Sequence, residues 1–123
     1  MDEGLFAYRK LIVYQHARRY ATYIYSLTRK FPVEEKYGIC SQLQRAAVSV
    51  SSNIAEGLSR FSEKDKIHFL EIAFGSLYET MSQIEISFDL GYINEEEYNN
   101  VERQVSDISK MLSGLRKTYM SRI

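Results

Sequence analysis

Apolar residues recur at intervals of three and four along most of the chain, which is the spacing of helices that bury one face. The second half shows two such stripes. The first comprises Ile67, Leu70, Phe74, Leu77, Met81, Ile84 and Phe88, and the second comprises Tyr98, Val101, Val105, Ile108, Leu112, Leu115 and Tyr119. Each stripe follows a pair typical of a helix N-terminus, Ser62 with Asp65 and Asn94 with Glu97. The pattern predicts helices over about residues 63–90 and 94–121.

The first half carries two further stripes. One comprises Phe6, Val13, Ala17, Tyr20, Ile24, Leu27 and Phe31, and it ends before Pro32, whose ring cannot continue a helix. The other comprises Ile39, Leu43, Ala46, Ala47, Val50, Ile54 and Leu58. These stripes predict helices over about residues 5–31 and 33–59. Because the connections are short, consecutive helices must alternate in direction. We therefore predict an all-α, up-down-up-down antiparallel four-helix bundle, with residues 1–123 forming a single domain.

Some apolar residues lie away from these stripes, and an isolated small bundle would leave them exposed to water. They belong to the first and third predicted helices, and the candidates for a subunit interface are Tyr8, Leu11, Ile12, Phe69 and Ile72. We interpret them as the contact surface of a homo-oligomer. The alternative is a broader core that includes them.

Composition adds a charge pattern that the net charge hides. The 123 residues contain 16 Lys and Arg against 16 Asp and Glu, so the formal charge is zero. Residues 1–31 nevertheless hold six basic and two acidic residues, a net of +4, whereas residues 62–92 hold two basic and six acidic residues, a net of −4. Because no uniform positive charge is present, any nucleic-acid binding must use one face of the molecule.

The basic residues of the first predicted helix are regularly spaced. Arg18 and Arg29 are eleven residues apart, as are Arg19 and Lys30, so each pair lies on one line along the helix. Tyr23 and Tyr25 lie between them, and aromatic rings among cations suit phosphate binding with base stacking. The candidate nucleic-acid-binding residues, including two at the edge of the second helix, are Arg18, Arg19, Arg29, Lys30, Arg45 and Arg60. The alternative is a solvated face that pairs with acidic residues of a neighbouring subunit.

A polar line runs along the second predicted helix beside its apolar stripe. Ser51, Ser52 and Asn53 are poor mid-helix residues, so their presence there requires a compensating role. We expect a buried polar network that fixes the register of the second and third helices, comprising Gln42, Ser49, Asn53, Glu56, Ser76 and Glu79. A ligand-binding groove is the alternative.

No catalytic pattern is recognisable in the sequence. The single Asp65-x-x-His68 pair falls short of the two Glu-x-x-His pairs of a di-iron bundle, and Cys40 has no partner cysteine. We expect no metal, no cofactor and no enzymatic activity. The acidic N-terminus and the short apolar runs also predict a cytoplasmic protein without a secretion signal or membrane association.

The sequence resembles the 23S rRNA-intervening sequence proteins, a family of bacterial four-helix bundles. The most specific similarity is residues 52–57, Ser-Asn-Ile-Ala-Glu-Gly, and residues 12–15, 42–50 and 69–79 add to it. Tyr14 departs from the family pattern, in which tryptophan is common. The fold is also similar to that of the accessory proteins of diversity-generating retroelements, which form five-membered rings and bind nucleic acid and a reverse transcriptase.

The resemblance implies a non-enzymatic homo-oligomer, a pentamer like the ring-forming relatives, and binding of RNA or DNA through the basic residues of the first two helices. It further implies an adaptor role towards a nucleic-acid-processing protein. The alternative is a protein-interaction scaffold that binds no nucleic acid.

Overall fold

The computed structural model describes residues 4–123, which are helical apart from short connections. The four α-helices are α1 (Ile12–Thr28), α2 (Ile39–Leu58), α3 (Glu63–Asp89) and α4 (Glu95–Met120). Two short 3-10 turns, Ala7–Lys10 and Val33–Glu35, precede α1 and α2. The described residues contain no strand, so the predicted all-α four-helix bundle is confirmed.

Cross-helix hydrogen bonds show the antiparallel arrangement. Ser49 of α2 forms a hydrogen bond with Ser76 of α3. Gln42, seven residues before Ser49, forms a hydrogen bond with Gln83, seven residues after Ser76, so the two helices run in opposite directions. Gln44, near the start of α2, donates to Thr28 at the end of α1. Each helix packs against two neighbours, so that α1 lies diagonally opposite α3, and α2 lies opposite α4.

The starts of α3 and α4 are fixed by side-chain caps. The Ser62 hydroxyl accepts from the Asp65 amide at 3.1 Å. Asn94 accepts from the Glu97 amide at 2.8 Å, and the Glu97 carboxylate accepts from the Asn94 amide at 3.0 Å, which completes a capping box. These bonds satisfy amides that have no partner within the helix.

The first two helices are shorter than the hydrophobic stripes predict. Helix α1 begins at Ile12 and not near residue 5, because Leu11 is extended (φ −68°, ψ 127°) after the first 3-10 turn. Helix α2 begins at Ile39 and not near residue 33, because the chain uses residues 29–38 to reverse direction. Pro32 is extended (ψ 144°), and the Tyr92 hydroxyl donates to Glu35 at 2.7 Å, which ties this connection to the one between α3 and α4.

One hydrophobic core runs through the bundle, and all four helices contribute to it. A polar contact crosses its centre. The Thr80 hydroxyl donates to the Leu77 carbonyl, so the Tyr20 hydroxyl donates to Thr80 Oγ1 at 2.7 Å. Both side chains are fully buried, and burial raises the pKa of Tyr20 far above its ordinary value despite that bond.

Candidate nucleic-acid interface

Charge divides the bundle into two halves. The α1–α2 half, residues 4–60, holds nine basic and three acidic residues, a net of +6. The α3–α4 half, residues 61–123, holds seven basic and eleven acidic residues, a net of −4. The acidic Asp2 and Glu3 of the sequence analysis lie outside the described residues. The separation comes from the first and third helices, because residues 32–61 hold three basic and three acidic residues and residues 93–123 hold five of each.

Arg18 and Arg29 line a groove between α1 and α2. The groove has a volume of about 370 Å³, and its walls are Arg18, Ala21, Thr22, Tyr25, Arg29, Val48 and Ser51. Within residues 4–123, neither arginine has an ion-pair partner. Two unneutralised guanidinium groups therefore border one concave surface.

Arg19 and Lys30 lie on the other line of α1. Lys30 forms an ion pair with Glu97 at the start of α4, whereas Arg19 has no ion pair among the described residues. Burial opposes ionisation of Glu97, but the hydrogen bonds from Lys30 and from the Asn94 amide prevail and lower the pKa of that carboxyl. Lys30 thus serves the α1–α4 contact, and its charge is partly neutralised.

Arg45 and Arg60 are separated from the α1–α2 groove. Arg45 borders a second, polar groove of about 330 Å³ between α2 and α3, together with Glu79. Arg60 pairs with Glu56 at 3.2 Å, and its guanidinium group lies over the Phe69 ring at 4.6 Å. Of the six basic candidates, only Arg18 and Arg29 are therefore brought to one groove.

Most of the candidate polar residues meet along α2 and α3. Asn53 donates to the Ser49 carbonyl at 2.8 Å and to its hydroxyl at 2.9 Å, and that hydroxyl bonds Ser76 at 2.9 Å. A second cluster, about two turns away on each helix, joins Gln42 and Glu79 through the amide nitrogen of Gln83. Glu56 is not part of either cluster, because it is exposed and bound to Arg60.

The apolar interface candidates fall into two groups. Ile12 and Ile72 are exposed, but they belong to diagonally opposite helices and do not form one patch. Tyr8, Leu11 and Phe69 are half-buried within the chain. Tyr8 packs edge-on against Tyr14 with ring centroids 4.8 Å apart, and Phe69 is covered by Arg60.

Residues 4–123 offer little towards other chemistry. No group of three metal-ligating side chains occurs among them, and none of their helices is long and apolar enough to cross a membrane. Cys40 is buried, its thiol directed at the Thr28 carbonyl at 3.7 Å, and burial raises its pKa.

Sequence reasoning missed the α2 wall of the α1–α2 groove. Val48 and Ser51 face α1, whereas the hydrophobic stripe of α2 marks only the face that packs into the core. Val48 and Ser51 are one turn apart on α2 and lie off its hydrophobic stripe, and this spacing indicates that they share one face of the helix. The sequence does not show which helix lies beside these two residues.

Comparisons with known proteins bear on the whole bundle. The family model of the 23S rRNA-intervening sequence protein matches residues 9–114. A crystal structure of a protein with unknown function from the S23 ribosomal protein family of Bacteroides thetaiotaomicron VPI-5482 is similar, with a TM-score of 0.80 and 27% sequence identity. The match covers 86% of this chain and 96% of that chain. Among curated proteins, none matches. The resemblance inferred from residues 52–57 is confirmed, and the chain belongs to the 23S rRNA-intervening sequence protein family.

Proposed function

We propose that this protein is a non-enzymatic, homo-oligomeric RNA-binding protein that acts as an adaptor. One observation carries the proposal: four arginines on the α1–α2 half of a molecule with zero net charge have no ion-pair partner within residues 4–123. They are Arg18, Arg19, Arg29 and Arg45. An unpaired, exposed arginine is suited to phosphate because its planar guanidinium group can donate two parallel hydrogen bonds. The family name refers to 23S rRNA, which supports RNA as the polyanion.

Self-association follows from the exposed apolar residues and from the charge pattern. Ile12 and Ile72 are exposed on opposite sides, which suits a contact between two different surfaces of neighbouring copies. Contacts of that kind close into rings when the rotation permits. The resemblance to ring-forming relatives suggests five copies, which would carry the basic halves into one assembly.

The RNA-binding proposal predicts a strong dependence on salt. If four basic groups of one chain neutralise phosphates of a single strand, the logarithm of the binding constant should fall with the logarithm of the salt concentration with a slope of about −3. We expect the replacement of Arg18, Arg19, Arg29 and Arg45 by Glu to abolish binding. The measurement is fluorescence anisotropy with a labelled 23S rRNA fragment between 50 and 300 mM potassium chloride.

The matched control reverses four charges on the acidic half, at Lys64, Arg103, Lys110 and Lys117, all exposed. It changes the net charge equally, so it should retain much more affinity than the variant of the basic half. Both variants should keep the helical circular dichroism spectrum. Equal losses in the two variants, or a salt-independent affinity, would contradict the proposal and favour a protein-interaction scaffold.

A further inference from the structure

The α1–α2 groove combines two phosphate-binding groups with an exposed aromatic ring. Tyr25 is 38% exposed and lines the groove between Arg18 and Arg29. It lies seven residues after Arg18 and four before Arg29, so all three side chains project from the same side of α1. The two arginines are about 16 Å apart along the helix axis at a rise of 1.5 Å per residue.

The structure also distinguishes the two tyrosines of this helix. Tyr23 is half-buried and packs against the core, and its pKa is raised by burial and by Glu97. Tyr25 is exposed, and its ring packs against no other aromatic ring among the described residues. Of the two, only Tyr25 presents its ring to a ligand in the groove.

The groove offers hydrogen-bond acceptors beside that ring. Thr22 uses its hydroxyl hydrogen to donate to the Arg19 carbonyl at 2.8 Å, and Ser51 donates to the Val48 carbonyl at 3.1 Å. Each hydroxyl oxygen still has lone pairs with which it can accept. A ribose 2′-hydroxyl or an exocyclic amine can donate to them, whereas a phosphate oxygen cannot.

Between the cations the groove is apolar, with Ala21 and Val48 among its walls. An A-form duplex keeps its base faces stacked inside the helix and presents phosphates and sugars. A duplex could bind the arginines through its phosphates, but it could not stack a base on Tyr25 or place one against the apolar walls. A single strand can unstack a base and place it against Tyr25.

We propose that the α1–α2 groove is a binding site for single-stranded RNA, in which Tyr25 stacks on a base while Arg18 and Arg29 bind phosphates on either side. This inference rests on the proposed RNA-binding function and adds the strandedness of the ligand and the stacking residue. It assigns no equivalent role to Arg19 and Lys30, although they lie on the same helix.

The test uses the full-length protein and a fluorescein-labelled 12-nucleotide RNA of CAA repeats, alone or annealed to its complement. We expect the single strand to bind at least tenfold more tightly than the duplex. Tyr25→Leu should weaken single-strand binding about 5- to 150-fold, as expected for the loss of one base–aromatic stack. Tyr25→Phe should retain the affinity, and Tyr37→Leu, which alters an 86% exposed tyrosine outside the groove, should not change it.

A second pair of variants tests the groove with charge change held constant. Arg18→Gln with Arg29→Gln should weaken single-strand binding at least tenfold and reduce the salt slope by about 1.4. Lys110→Gln with Lys117→Gln removes the same charge from exposed positions on α4, outside the groove, and should cost less than threefold. Circular dichroism melting of each variant would show that the fold is retained.

The outcomes separate this inference from the proposed function. Equal binding of single strand and duplex, or unchanged affinity of the folded Tyr25→Leu variant, would contradict the assignment of the groove as the single-strand site. Either result would leave the proposed RNA binding intact. A smaller solution mass for Tyr25→Leu would identify the groove as a contact between copies and would also overturn it. If the unaltered protein binds no RNA, both proposals fail.

Discussion

Single side chains decide how the helices of this bundle are matched. Tyr20 on α1 and Thr80 on α3 are both fully buried and meet across the centre of the core at 2.7 Å. An apolar pair would fill the same space, but it would leave the two helices freer to slide. The hydroxyl pair is satisfied at one register, and that favours a unique arrangement of diagonally opposite helices.

Changing each partner in turn should give unequal losses of stability. Tyr20→Phe removes the donor and should lower the free energy of unfolding by about 1 kcal/mol. Thr80→Val leaves the Tyr20 hydroxyl buried without an acceptor and should cost about 1–3 kcal/mol. The double variant should lose less than the sum, as measured by urea denaturation. Strictly additive losses would show that the two groups are not coupled.

At the scale of helices, α2 and α3 approach each other closely at a glycine of α2. A Cβ atom added at Gly57 would lie 3.0 Å from the Phe69 Cβ and 3.3 Å from the Lys66 carbonyl oxygen on α3. The second of these is backbone and cannot rotate away. Gly57 therefore permits α2 and α3 to converge near the connection that joins them.

Alanine at Gly57 and at Gly75 should have opposite effects. Gly57→Ala should destabilise the fold by about 1–2 kcal/mol, because the steric cost exceeds the gain in helix propensity. Gly75 lies within α3 with nothing within 4 Å of an added Cβ, so Gly75→Ala should stabilise the fold by about 0.5–1 kcal/mol. Thermal unfolding would measure both changes. A stabilising Gly57→Ala would show that the helices separate there without cost.

The sequence predicts helices well where local chemistry defines their ends. The starts of α3 and α4 follow from caps formed within four residues, Ser62 with Asp65 and Asn94 with Glu97. The starts of α1 and α2 do not, because Leu11 and Gly38 provide no side-chain cap. Their position depends on how the chain reverses direction and on the distant bond from Tyr92 to Glu35, which no local pattern reveals.

The candidate site shows a similar division. Spacing alone placed Arg18 and Arg29 on one line, because eleven residues are close to three helical turns. It could not separate that line from Arg19 and Lys30, since the difference lies in what the neighbouring helices present. Lys30 meets Glu97 of α4, whereas Arg18 and Arg29 meet Val48 and Ser51 of α2.

On the scale of the whole molecule, the proposed homo-oligomer depends on exposed apolar side chains. Ile12 is 64% exposed and Ile72 is 39% exposed, on opposite corners of the bundle. Burying both in subunit contacts would remove apolar surface from water and favour assembly. A single chain of 14.4 kDa would instead leave both in water.

Multi-angle light scattering should give a mass of several chains for the unaltered protein. Ile12→Ser with Ile72→Ser should shift the mass towards 14.4 kDa while the circular dichroism spectrum stays helical. The control is Val33→Ser, which alters an 82% exposed residue in the connection before α2 and should leave the mass unchanged. A mass of 14.4 kDa for the unaltered protein at all concentrations would contradict self-association.

The separation of charge between the two halves has a consequence that begins before any contact. Although its net charge is zero, the molecule has an electric dipole, with +4 on residues 1–60 and −4 on residues 61–123. A polyanion would attract one half and repel the other, so the protein would turn as it approached and arrive with α1 and α2 foremost. Such steering raises the rate of productive encounters and weakens as ions screen it. Because it sums many charges, the loss of a single arginine would slow the approach far less than it would loosen the complex.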